Sequence, residues 1–187
     1  MKRRYLLAIV LIVVIIVAMA VVLTFESLGT PSLPVILIEP ESVSKLGVNG
    51  TFALTVSVKN CVDVYAVQVD IRYDPQVINV TGIFEGTFLN STGSTTVLYH
   101  ETAEVTNSTP LRNTIYFVAT KMGDQSSHDS SGNGTLLTIA FQVISNGSTQ
   151  LQFFPYVANT STQEGTYFMK QDHTEVIPQL RDGFYGS

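Results

Sequence analysis

Disulfides and tryptophan are missing. A single cysteine, Cys61, rules out an internal disulfide and any zinc site built from several cysteines. No tryptophan is present, which removes the largest ring from any stacking platform. Charge is scarce: charged residues make up 13% of the chain, against about 25% in an ordinary soluble domain. Between Tyr5 and Phe25 there is no charge at all, and the chain beyond carries fifteen acidic and seven basic residues. That balance argues against nucleic acid as a partner, because phosphate binding needs a basic patch.

Catalytic patterns are lacking as well. His100, His128 and His173 are scattered without ligand spacing, and Asp70 and Asp74 merely flank a strand end. No serine sits in a strand–turn–helix elbow, and no glycine-rich phosphate loop opens a helix. The polar stretch 123–134 holds Asp124 and Asp129, but its spacing is not that of an EF-hand and it reads as a surface loop. Cys61 reads as a buried thiol at a strand end. An enzyme is not expected, and no catalytic residue, metal ligand or cofactor is assigned.

What is there begins with Lys2, Arg3 and Arg4, followed by an unbroken apolar run from Leu6 to Leu23 that Thr24 and Phe25 extend. About 20 residues rising 1.5 Å each match the roughly 30 Å hydrocarbon core of a bilayer. Residues 1–25 therefore read as a transmembrane signal-anchor helix, with the basic end in the cytoplasm and the body outside. Ala18-Met19-Ala20 supplies a rival, a small-x-small cleavage site of a secretory signal. Both readings place the body outside the cytoplasm. Seven of the nine asparagines begin Asn-x-Ser/Thr sequons: Asn49, Asn79, Asn90, Asn107, Asn133, Asn146 and Asn159. The hydroxyl composition predicts about two by chance, so glycosylated surface turns are expected.

Residues 26–34 read as a linker rich in Ser, Gly and Pro, and residues 35–187 as one domain. Alternation of period two dominates this domain. Phe52, Leu54, Val56 and Val58 form one apolar face; Tyr65, Val67, Val69, Ile71 and Tyr73 form another. Ile115, Phe117 and Ala119, then Leu137, Ile139, Phe141 and Val143, add two more. Nine or ten strands broken by Asn, Gly, Ser and Pro predict an all-β antiparallel sandwich. Leu136, Ala140 and Ile144 point outward by alternation.

Four stretches resemble a cohesin domain. The first is an alternating strand from Phe52, a turn at Asn60–Asp63, and the strand from Val64 that ends Tyr73-Asp74-Pro75. The second runs from Val80 to Leu89 through Gly82, Glu85-Gly86 and Phe88-Leu89. The third is Gly132-Asn133-Gly134-Thr135-Leu136 leading into Ile139–Val143, and the fourth is Arg181-Asp182-Gly183-Phe184-Tyr185. The resemblance implies a nine-stranded jelly-roll sandwich, close to carbohydrate-binding modules, that docks a dockerin module on another protein, often an enzyme acting on polysaccharide. It places the outward residues Ala66, Gln68, Asp70 and Arg72 on the partner-binding sheet. Cellulosomal members tend to carry an Asn and an Asp where this chain has Ala66 and Gln68. Calcium enters only as the ion that loads a dockerin partner. The sequons suit an archaeal surface. Two other functions are weighed: a structural surface component, and direct carbohydrate binding. The latter needs Tyr99, Tyr116, Tyr156, Tyr167 or Tyr185 in a row, and alternation does not put them on one strand.

Overall fold

A computed structural model of the chain describes residues 32–92, 94–105, 112–122, 130–158 and 163–187. The apolar run at 6–25, most of the linker, Asp124, Asp129, His128, Asn107 and Asn159 lie outside the described residues. Among the described residues, no helix is long and apolar enough to cross a membrane.

The chain from Leu33 to Ser187 packs as one unit. In chain order its strands are β1 (Val35–Glu39), β2 (Ser42–Val43), β3 (Thr51–Val64), β4 (Ala66–Tyr73) and β5 (Ile78–Glu85). A 3₁₀ turn at Asn90–Thr92 leads to β6 (Thr95–Val105), β7 (Arg112–Lys121), β8 (Ser130–Val143) and β9 (Thr149–Phe153). Short pieces complete the chain: β10 (Val157–Ala158), β11 (Gln163–Glu164), β12 (Tyr167–Met169), β13 (Glu175–Val176), β14 (Gln179–Arg181) and β15 (Gly183–Tyr185).

Two sheets form. One has the order β14-β1-β3-β8-β5; the other has β13-β12-β4-β9-β15-β2, with β7 also paired to β4, and β6 to β7. Their inner faces share one core, since an alternating strand can bury only one side. Ile36, Leu54, Leu137, Ile139 and Phe141 from the first sheet meet Val69, Ile71, Ile115, Phe117 and Tyr185 from the second. Phe52 stacks between Phe141 and Tyr185, with ring centroids 5.2 and 4.9 Å away, and Tyr73 meets Phe141 edge-on at 5.9 Å. The predicted all-β sandwich is therefore what the chain forms. It comes in fifteen pieces rather than nine or ten, because several ladders close over only two or three residues.

Two of the signature stretches include points where the chain changes sheets. At the end of β4, Asp74 Oδ1 accepts the Gln76 N–H at 2.9 Å, and the Asp74 carbonyl accepts Val77 N–H at 3.1 Å. Pro75 fits the first central position of that turn, which sends the chain into β5 of the opposite sheet. Near the C-terminus, Asp182 alone separates β14 in one sheet from β15 in the other. Its carboxylate accepts the Phe153 N–H at 2.9 Å, and a Cβ on Gly183 would lie 2.7 Å from Ile38 Cγ2.

Two local expectations change. Asn60–Asp63 is not a turn: β3 runs through it as a bulged strand, with register shifts against β8 on both sides of Cys61. Asn60 and Asp63 take the left-handed conformation, and their amides are satisfied across the strand by Asn133 Oδ1 and Ser131 Oγ, each at 2.9 Å. Leu136 is buried, not outward, because a register shift leaves it unpaired between Thr135 and Leu137 and turns it inward. Cys61 is buried and free, and burial pushes its thiol up to about 12.

Candidate binding site

Strand β4 alternates without interruption, so Val67, Val69, Ile71 and Tyr73 enter the core and Ala66, Gln68, Asp70 and Arg72 face outward. All four predicted residues thus share one face. Along one edge β7 pairs with the whole strand and sets Thr120, Val118, Tyr116 and Thr114 opposite them in turn. The other edge is divided. Strand β12 pairs with 66–68 and brings Met169 and Tyr167 beside Ala66 and Gln68, while β9 pairs only with Ile71 and Arg72. Between β9 and β12 the chain leaves the sheet, forms the β10–β11 hairpin, and returns at Gly165 and Thr166.

This excursion gives the face two unlike halves. Around Ala66 and Gln68 it stays open. Ala66, Gln68, Val118, Thr120, Tyr167 and Met169 line a shallow, mostly apolar cavity of about 230 Å³. Around Asp70 it is roofed, and Asp70 is only 1% exposed. The Gly165 N–H donates to Asp70 Oδ2 at 2.8 Å, and Gln68 Nε2 lies 3.3 and 3.4 Å from the two carboxylate oxygens. The backbone of Asp70 is held by the same excursion. Its N–H donates to Thr166 Oγ1 at 3.1 Å, and its carbonyl accepts the Phe154 N–H at 2.8 Å and the Thr166 hydroxyl at 3.3 Å. Arg72 stacks its guanidinium 3.7 Å from the centroid of Phe154. Burial lifts the Asp70 carboxyl to about 6; the Gly165 amide, Gln68 and Arg72 oppose that rise, and Glu164 adds to it.

Gly165 suits the return point for a steric reason. Its φ is +100°, and a Cβ there would lie 2.3 Å from the Pro155 carbonyl oxygen. Beside the open half, Tyr156 and Tyr167 pack with ring centroids 4.9 Å apart and planes tilted by 51°. The Tyr156 hydroxyl donates to Glu175 Oε2 at 2.5 Å, which pushes its pKa up to about 12. Tyr116 stands on the same face, and backbone register sets Tyr99 opposite Val118. Tyr185 does not belong there; it is fully buried, its hydroxyl bonded to the Leu46 backbone. The excursion, not alternation within one strand, brings Tyr156 and Tyr167 together.

Among the described residues, no three His, Cys, Asp or Glu side chains are grouped to hold a metal. His173 is exposed in a left-handed turn. The five sequon asparagines that are described, Asn49, Asn79, Asn90, Asn133 and Asn146, are all exposed. No sequon begins in β4, β6, β7, β9 or β12.

The cohesin domain family matches residues 37–175. A type II cohesin domain from the cellulosome of Acetivibrio cellulolyticus superposes with a TM-score of 0.59 at 15% identity, over 82% of this chain and 95% of that one. A type I cohesin–dockerin complex from Clostridium thermocellum gives 0.57 at 12% identity, over 84% and 95%. A non-cellulosomal cohesin from the hyperthermophilic archaeon Archaeoglobus fulgidus gives 0.53 at 16% identity, over 82% and 90%. At these identities the likeness is one of fold. A comparison with curated proteins finds no match.

Proposed function

The chain belongs to the cohesin family, whose domains are non-catalytic binding modules, and from that premise we propose that it is a membrane-tethered docking module on the outside of the cell. Its partner is a protein bearing a dockerin-like module, loaded with calcium and attached in turn to a secreted or surface protein, such as one that breaks down polysaccharide. Solved cohesins with dockerin bound supply the model for that pairing. The anchor holds the partner near the membrane and raises its local concentration without any chemistry.

The observation that carries this reading is the open half of the β4 face. It offers a shallow apolar cavity at Ala66, Val118, Tyr167 and Met169, with Gln68 as a polar group at its centre. The strands that frame it carry no sequon. Ala66 and Gln68 make this a less polar contact than an Asn and Asp pair would. Asp70 and Arg72 complete the predicted set from beneath the excursion and support the contact rather than touch the partner.

The test is binding of the full chain, in detergent micelles, to calcium-loaded dockerins and to the organism's secreted proteins. Gln68→Arg with Val118→Arg sets uncompensated charge at the centre of the contact and is expected to weaken binding at least tenfold. Unchanged affinity removes this face as the site. Direct polysaccharide binding is the competing reading, and Tyr156 and Tyr167 do not favour it: they are tilted rather than coplanar, and the Tyr156 hydroxyl is engaged by Glu175. Retardation in polysaccharide gels without any protein partner reverses that preference, and concentration-dependent assembly of the chain points to a structural surface component.

A further inference from the structure

We propose that Asp70 is a pH-sensitive latch for the β10–β11 excursion: the excursion is held firmly to β4 when the carboxyl is protonated and more loosely when it is ionised. The latch is a property of the free protein and stands whether or not the face meets a dockerin.

Both legs of the excursion are bonded to one residue, Asp70, while its Tyr156 is held separately by Glu175. Its outgoing leg is tied by Phe154 N–H to the Asp70 carbonyl. Its returning leg is tied by Gly165 N–H to the Asp70 carboxylate and by the Thr166 hydroxyl to the Asp70 backbone. Closing the excursion is also what buries Asp70, which would otherwise stand on a solvent-facing strand. The two events are one equilibrium. A carboxylate taken out of water needs full compensation, and here it is partial. The oxygens receive one backbone amide and two long contacts from Gln68. Arg72 stacks on Phe154 rather than closing an ion pair with Asp70.

The charged and titratable groups around the carboxyl do not reverse this balance. On its own strand there is Arg72, which favours the ionised form; on β11 there is Glu164, which opposes it. Tyr167 on β12 and Tyr116 on β7 flank it, and burial raises the Tyr167 hydroxyl above its ordinary value, so it adds no charge there. Just beyond β9 the neighbour is Phe154, which does not titrate. Protonation removes the buried charge and keeps a carbonyl oxygen for the Gly165 amide. The sign follows: with the excursion closed the carboxyl titrates near 6, and with it open near the ordinary 3.8, so acid favours closure and rising pH favours opening.

The experiment is hydrogen exchange by NMR on the full chain in detergent micelles, with each rate divided by its intrinsic rate at that pH. Protection at Gly165 and Phe154 is expected to fall about tenfold between pH 5 and 7.5. Protection at Leu54 and Ile139, in the opposite sheet, reports global opening and should not follow. Asp70→Asn keeps an acceptor without a charge and should hold acid-like protection across the range. Should that variant fail to fold, Glu164→Gln decides: removing the exposed neighbouring charge should move the midpoint to lower pH with the fold intact. Protection at Gly165 that stays flat or rises with pH overturns the latch, as does a midpoint that Glu164→Gln leaves in place.

Discussion

At the scale of single residues, Asp70 is where local rule and surroundings disagree most. An aspartate on the outward face of a strand is ordinarily solvated; here it is 1% exposed. The cost has a defined pH dependence. The folded carboxyl titrates near 6 and the ordinary value is 3.8, so between those values the folded chain holds more protons than the unfolded one. The contribution of this group to stability is therefore complete below about pH 4 and lost as pH rises through about 6. Urea midpoints of wild type and Asp70→Asn should diverge in the variant's favour as pH rises from 4 to 7 and then run parallel. Curves parallel throughout would mean that the carboxyl is solvated in the folded chain. Nothing in the sequence around Val69-Asp70-Ile71 announces this burial. Alternation tells which side a residue faces, and it is silent about a segment 95 positions away that comes to lie on that side.

At the scale of elements, the junction of β9, β12 and β4 depends on Thr166. Its side chain is fully buried, and its hydroxyl both accepts from and donates to the Asp70 backbone. Thr166→Val keeps the shape and deletes the hydroxyl, leaving a buried N–H without its acceptor. Such a loss costs about 1–3 kcal/mol, so a urea unfolding series should show a lower midpoint with an unchanged slope. A midpoint within error of wild type places water, not Thr166, against that amide. The long strands around this junction were legible in advance. β4, β7 and β8 each bury every second residue over enough length for the pattern to stand out. β10 to β13 were largely not, because two- and three-residue pairings have no period to read and exist only where other strands hold them. The bulges of β3 fall between: Asn60–Asp63 read as a turn, but the left-handed backbone at Asn60 and Asp63 is held by Asn133 and Ser131 across the ladder as a bulge. The candidate site divides the same way. Its strand and facing residues could be read from alternation and resemblance, whereas the cavity and its roof arise from the excursion.

At the scale of the whole molecule, the proposal joins an anchor, an outward-directed set of sequons and one unglycosylated face. The five described sequon asparagines are exposed in turns, at the 3₁₀ segment, on edge strand β5 and on β8, none of them on a strand that frames the cavity. Asn133 differs from the others because its Oδ1 already accepts the Asn60 N–H, so it should be the least modified of the five. The apolar run 6–25 is long enough for one crossing, and the proposal puts the basic end at Lys2, Arg3 and Arg4 inside. If the run is retained, the full chain should stay with membranes through an alkaline carbonate wash and be digested by protease added outside intact cells. Mass spectrometry of the recovered chain should find the original N-terminal region and glycans on Asn49, Asn79, Asn90 or Asn146. If the run is cut after Ala20, the chain begins at Val21, too few apolar residues remain to span a bilayer, and the wash releases it. Release would end the tether while leaving the docking face in place. Glycans found at Asn107, between β6 and β7, or at Asn159, between β10 and β11, that block a dockerin would do the reverse, since a bulky sugar against the face is incompatible with close contact to a protein partner.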